Sequence, residues 1–159
     1  MDLRVGIGSD IHQFVVNRPL ILGGVSIPFE KGLLGHSDAD ALLHAIIDAL
    51  LGAAGKGDIG KLFPDTDKQW KDAKSLELLT KAWAEIKKDG WKISNIDSAV
   101  VLQQPKISRY IPEMIQNIAK VLGITPEQVG IKATTSEGLG YTGRGEGIFV
   151  QAVALLTKD

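Results

Sequence analysis

Apolar and polar positions alternate from the start of the chain. Leu3, Val5 and Ile7 are separated by Arg4 and Gly6, a period of two that predicts a strand ending at Gly8-Ser9-Asp10. Residues 20–29, LILGGVSIPF, read as two short strands around Gly23-Gly24. From Ser37 to Ala54 the period changes: Leu42, Leu43, Ile46, Ile47, Leu50 and Leu51 recur at helical spacing, and Ser37 followed by Asp40 forms an S-x-x-D capping signature. Glycine, proline and aspartate then mark a loop from Gly55 to Asp67. A second amphipathic helix, carried by Leu76, Leu79, Ala82, Trp83 and Ile86, ends at Gly90. Ile93 to Gln103 reads as a strand stopped by Pro105, and Ile111 to Leu122 as a helix closed by Gly123. Gly130 to Thr135 and Ile148 to Leu156 are the last strands, with a glycine-rich loop between them. No repeat, low-complexity tract or linker divides this order. The expectation is one α/β (α+β) domain over residues 1–159, a mixed sheet with helices packed on one face.

Composition narrows the function classes. At 159 residues the chain has the length of one globular domain, and a net charge of -1 creates no field for a polyanion, which argues against a nucleic-acid partner. There is no cysteine, so a metal must be held by His, Asp or Glu. No apolar run reaches transmembrane length, and the opening residues MDLRVGIGSD are not a cationic segment followed by an apolar stretch. A cytoplasmic enzyme or binding protein is the expectation, with no membrane association.

Four segments carry candidate chemistry. Asp10 and His12, two apart on a strand, share a face, and His44 lies on the strongest helix in a polar stripe with Asp40 and Asp48. One carboxylate and two imidazoles make a three-ligand zinc set with a fourth position open. Equally, His12 is readable as a loop histidine and His44 as a residue bordering the core. Gly35-His36-Ser37-Asp38-Ala39-Asp40 opens the helix, where free amides attract anions, although Ser37 and the aspartates also suit plain capping. Lys132 to Gly147 offers the hydroxyls of Thr134, Thr135 and Ser136, the acid of Glu137 and the cation of Arg144 to a diphosphate and its magnesium, or is a turn between strands. Its Gly138-x-Gly140-x-x-Gly143 is not a dinucleotide fingerprint, because a strand rather than a helix follows. Gly57-Asp58-Ile59-Gly60 and Phe63-Pro64-Asp65 can bind hydroxyls or form exposed turns.

Taken together, Ser9-Asp10-Ile11-His12, Gly35 through His44, Gly57-Asp58-Ile59-Gly60, Phe63-Pro64-Asp65, Gln104-Pro105-Lys106 and Lys132 through Gly147 resemble, in order and spacing, the 2-C-methyl-D-erythritol 2,4-cyclodiphosphate synthase family. The resemblance implies a homotrimer whose sheets line a central prism, with active sites between subunits. It implies zinc, one per chain, on Asp10, His12 and His44, and magnesium or manganese bound with substrate at Glu137. It implies that His36 and Ser37 hold phosphates, that Asp58, Ile59, Gly60, Phe63 and Asp65 position the sugar alcohol, and that Leu102, Pro105, Lys106, Ala133, Thr134 and Thr135 form a cytidine pocket. It implies further substrate contacts by Tyr141 and Arg144 toward the trimer axis, and action of His36, Thr135 and Glu137 on the reacting phosphates. Leu102 and Gln104 depart from the small residues expected in that segment. The implied reaction is cyclisation of 4-diphosphocytidyl-2-C-methyl-D-erythritol 2-phosphate with release of CMP, a phosphorus-oxygen lyase step of non-mevalonate isoprenoid synthesis. Two rival readings use the same residues: a zinc hydrolase with Asp40 or Asp48 as base, and a non-enzymatic trimer that binds an isoprenoid diphosphate through Arg144.

Overall fold

The computed structural model describes residues 1–159. A long strand β1 (Asp2–Val16) pairs antiparallel with β7 (Gly147–Lys158) along nearly its whole length, from Asp2 opposite Lys158 to Gln13 opposite Gly147. β4 (Lys31–Leu33) extends one side of β1, while β5 (Lys92–Val101) and β6 (Lys132–Thr134) follow on the far side of β7. The order is therefore β4-β1-β7-β5-β6, with β5 and β6 parallel and the other pairs antiparallel. β2 (Leu20–Leu22) and β3 (Val25–Ile27) make a separate hairpin around Gly23-Gly24, both glycines at positive φ. Helices α1 (Ala41–Ala53), α3 (Ser75–Lys87) and α4 (Ile111–Leu122) supply the helical layer, and short helices α2 (Ile59–Leu62) and α5 (Gly140–Gly143) lie in the two loops. All buried apolar side chains form one cluster of 39 residues, so there is a single core.

Several elements differ in extent from the sequence reading. β1 continues through Asp10 and His12 to Val16, because β7 pairs with it as far as Gln13 and β4 from Phe14 to Val16. β4, α2 and α5 had no distinct periodicity. The helix read from Ser37 begins only at Ala41: Asp40 is its N-cap and accepts from the Leu43 amide. Ser37, Asp38 and Ala39 stay outside, and the φ of Ala39 is positive.

The alternation in β1 has an unexpected polarity. Leu3, Val5, Ile7 and Ile11 point to the bare face of the sheet and are exposed, Val5 by 76%. The opposite face carries Gly6, Gly8, Asp10, His12 and Phe14, and α1 lies against it. Glycine is required there. A Cβ on Gly8 would collide with the Ala45 carbonyl oxygen and lie 2.8 Å from the Ala49 nitrogen, and one on Gly6 would collide with the Ala49 carbonyl oxygen. Two missing side chains let α1 rest directly on the strand backbone, and this close approach brings His44 to the level of Asp10 and His12. Gly8→Ala is expected to push α1 outward, to destabilise the fold by about 3 kcal/mol as overpacking does, and to weaken metal binding. Urea unfolding checks it, and wild-type stability would refute the contact.

Candidate functional site

Asp10 and His12 come from one face of β1 and His44 from the first full turn of α1. One potential ligand atom from each lies within 4.8 Å of the others. Asp10 Oδ2 is buried, 2.7 Å from His12 Nε2 and 3.3 Å from His44 Nδ1, yet it has no partner in hydrogen-bond geometry. The surrounding contacts fix both imidazoles. His12 Nδ1–H donates to the Leu34 carbonyl at 2.7 Å, which leaves Nε2 bare and turned to Asp10. The Ser75 hydroxyl donates to Asp38, so its oxygen accepts from His44 Nε2–H at 2.9 Å and leaves His44 Nδ1 bare. Two nitrogen lone pairs and a carboxylate oxygen thus converge on one point with no hydrogen between them, a donor set that suits a divalent cation.

The electrostatics agree. Burial by itself would raise the Asp10 pKa, but the adjoining imidazoles outweigh it and hold the carboxyl below its ordinary value. Burial would lower His12, and the Asp10 carboxylate outweighs that and raises it. Both shifts express a demand for positive charge at this point, which a proton or a metal ion can meet.

A cavity of about 410 Å³ opens on this cluster, lined also by Gly35, His36, Ser37, Ile59, Gly60, Phe63, Pro64, Asp65, Trp70 and Leu78. Of the residues expected to bind sugar alcohol and phosphate, only Asp58 does not line it; Asp58 caps α2, accepting from the Lys61 amide at 2.9 Å, and so sets the direction of Ile59 and Gly60. Of the amides leading into the helix, three are already engaged. The amides of Asp38, Ala39 and Asp40 donate to the Ala73 carbonyl, Ser37 Oγ and Asp38 Oδ1. This leaves His36 and Ser37, which line the cavity, for an anion. His36 Nε2–H donates to the Asp67 carbonyl at 3.1 Å, tying the cavity rim to the loop after α2.

A second cavity, about 360 Å³, collects Leu102, Pro105, Lys106, Ala133, Thr134 and Thr135, with Gln103, Ile107 and Ser108. The six residues expected around the cytidine are therefore neighbours. No residue lines both cavities. Glu137 lines neither: it is exposed, at φ 56, in a loop braced by the Ser136 hydroxyl on the Leu139 carbonyl and Thr142 Oγ1, both at 2.7 Å. A non-glycine residue in that conformation is uncommon and is held by its surroundings. Tyr141 and Arg144 are also apart from both cavities. Arg144 pairs with Glu146 at 2.9 Å and lines a third hollow with Phe14, Phe29 and Lys31.

The two acids proposed for a hydrolase are spoken for. Asp40 is fully buried and accepts from the amides of Gly23, Gly24 and Leu43; burial and the neighbouring Asp38 push its carboxyl up to about 6 against those three donors. Asp48 accepts from the Ile59 amide at 2.7 Å and does not line the metal cavity. Neither is placed to activate a water beside the cluster.

Sequence reasoning missed Trp70 and Ser75. Trp70 packs edge-on against Phe63, with ring centroids 4.9 Å apart, and Lys81 Nζ lies 4.8 Å from the Trp70 ring. Its signal was a lone large aromatic in a turn-rich polar stretch. Ser75 had no signal, since its role depends on contacts with residues more than thirty positions away.

A sequence model of the YgbB family matches residues 3–157. The 2-C-methyl-D-erythritol 2,4-cyclodiphosphate synthase of Clostridium perfringens is 58% identical over 156 residues, covering 98% of this chain and all of its own. The bifunctional IspDF from Campylobacter jejuni superposes with a TM-score of 0.96 at 44% identity, over 99% of this chain and 43% of that one. The Plasmodium falciparum IspF in complex with CDP gives a TM-score of 0.87 at 39% identity, over 99% of this chain and 97% of that one.

Proposed function

The chain belongs to the YgbB family, and on that footing we propose that it is an enzyme that cyclises 4-diphosphocytidyl-2-C-methyl-D-erythritol 2-phosphate to the 2,4-cyclodiphosphate and releases CMP. The observation that carries this reading is the convergence of Asp10 Oδ2, His12 Nε2 and His44 Nδ1 in a cavity that His36 and Ser37 also line. The 2-phosphate oxygen forms a bond to the β-phosphorus while the bond from that phosphorus to the CMP oxygen breaks. The attacking group is already anionic at neutral pH, so no base is needed. The protein must instead place the two phosphates in line and offset their repulsion. When bound, zinc on Asp10, His12 and His44 and magnesium or manganese at Glu137 supply positive charge to the phosphate oxygens.

The chain's own groups do the placing. His36 and Ser37 orient phosphate, Asp58 and Asp65 with the Ile59-Gly60 backbone take the hydroxyls, and Phe63 offers an apolar contact. Lys106, with Thr134 and Thr135, meets the nucleotide in the second cavity, Thr135 and Glu137 standing beside the leaving group; Tyr141 and Arg144 are assigned to the same substrate from the trimer axis. The whole of residues 1–159 is read as one synthase domain, acting as a phosphorus-oxygen lyase of the non-mevalonate pathway in the cytoplasm. No helix is long and apolar enough to cross a membrane. Incubation with the CDP-linked substrate is expected to yield CMP and cyclic diphosphate in equal amounts by phosphorus NMR. A linear phosphate product would favour hydrolysis, and binding without CMP release would favour the non-enzymatic reading.

The separation of the two cavities on one chain is accounted for if a neighbouring copy completes each site. The bare face of the sheet supports a homotrimer: Leu3, Val5, Ile7, Ile11 and Val153 leave an apolar patch of a kind that soluble proteins usually cover. Light scattering is expected to give about three times the 17.1 kDa chain mass. Val5→Asp should dissociate the assembly, leaving folded chains that bind zinc but lack turnover. An active monomer would contradict this arrangement.

A further inference from the structure

We infer that Arg18 is a positioning residue for the metal centre, clamping the short strap Leu34–Ser37 that orients both histidine ligands. The guanidinium donates from Nη1 to the Gly35 carbonyl at 3.1 Å and from Nη2 to the Ser37 carbonyl at 2.8 Å. These two carbonyls are its only hydrogen-bond partners. No carboxylate lies within ion-pair distance, and Nε is buried without a partner. A part-buried guanidinium set on neutral carbonyls gives up solvation without a counter-charge, so the placement is better explained by what it holds than by the stability it adds.

The strap touches both ligands. Its Leu34 carbonyl accepts the His12 Nδ1 proton at 2.7 Å, and its Ser37 Oγ lies 3.1 Å from His44 Nε2. Between them Gly35 packs on the His12 ring so closely that a Cβ would sit 3.2 Å from Cε1. Holding the carbonyls of Gly35 and Ser37 at a fixed separation fixes both imidazole contacts together. The planar fork of arginine spans two acceptors at once, whereas a lysine ammonium reaches only one point. Groups that orient metal-ligating histidines tune affinity by 10–100-fold, and Arg18 acts one step further out on two of them simultaneously.

This inference rests on the metal reading of Asp10, His12 and His44. The test measures zinc affinity of the metal-free protein by competition with a chromogenic chelator, for the unsubstituted chain, Arg18→Lys and Arg18→Ala. Circular dichroism confirms that each is folded at the assay temperature. Arg18→Ala is expected to bind zinc about 10–100-fold more weakly, Arg18→Lys to fall between, and the His12 Nδ1–H signal in NMR to broaden or vanish in the alanine variant. A merely structural tie would lower the melting temperature and leave zinc affinity alone; affinities within about twofold of one another would overturn the inference. If Arg18→Ala does not fold, Arg18→Lys decides, and unchanged affinity there overturns it. Absence of zinc binding by the unsubstituted chain would overturn the metal reading and this inference with it, whereas normal binding there and in both variants removes this inference alone.

Discussion

Replacing His12 or His44 with alanine is expected to abolish stoichiometric zinc and, with it, turnover, while the chain remains folded. Each change removes one of three converging donors and leaves Asp10 Oδ2 facing a single imidazole. Loss of groups that merely orient a ligand already costs 10–100-fold in affinity, so loss of the ligand itself should cost at least about 100-fold and turnover at least as much. The two variants differ in their side effects. His12 sits on a strand with its side chain 15% exposed, and alanine there strands only the Leu34 carbonyl, which water can reach. His44 lies deeper, at 13%, and its loss leaves the Ser75 and Ser37 hydroxyls without the Nε2–H donor they share, so a stability loss of about 1 kcal/mol accompanies it. Metal analysis with denaturant unfolding separates the effects. Full zinc in both folded variants would sink the site.

Glu137→Gln is expected to leave zinc content and stability unchanged and to lower turnover at least about 100-fold, the usual consequence of losing a major electrostatic stabiliser. Glu137 does not line the metal cavity and donates no side-chain contact to the fold; its amide, not its carboxylate, bonds to Thr135 Oγ1 at 3.2 Å. Glutamine keeps the size and an acceptor oxygen, so the strained backbone at this residue is equally well tolerated. What disappears is the charge that a hard, oxygen-seeking cation selects. Raised magnesium or manganese should recover part of the rate. The measurement is CMP release across a magnesium titration alongside zinc analysis. Wild-type turnover at low magnesium in a zinc-replete variant would show that Glu137 is a loop residue and that one metal suffices.

Much of the architecture is legible because its signals are local. α4 runs over the residues its periodicity marks and ends at Gly123 in the left-handed conformation, where a side chain would be strained. The β2–β3 hairpin forms around Gly23-Gly24 for the same reason. The residues of the candidate site were legible as chemical types: with no cysteine in the chain, His12, His44 and a nearby carboxylate were the plausible ligands. Their resemblance to one family supplied the grouping that spacing alone left open.

The start of α1 was misread because Asp38, which suits a first helical turn, is claimed by Ser75, 37 positions away. No local rule contains that contact. The face of β1 was open for a related reason. A period of two states that a strand has two faces, and it does not say which one a helix will cover when the apolar residues occupy one face and glycines the other. Sequence by itself determined the order of the main strands and helices, the residue types able to hold a metal, and the glycine-rich loop that carries Glu137. The tertiary structure decided that the glycine face of β1 is the inner one, because only a backbone without side chains admits α1 closely enough to bring His44 within ligand distance of Asp10 and His12, leaving Leu3, Val5 and Ile7 outward with no cover from their own chain.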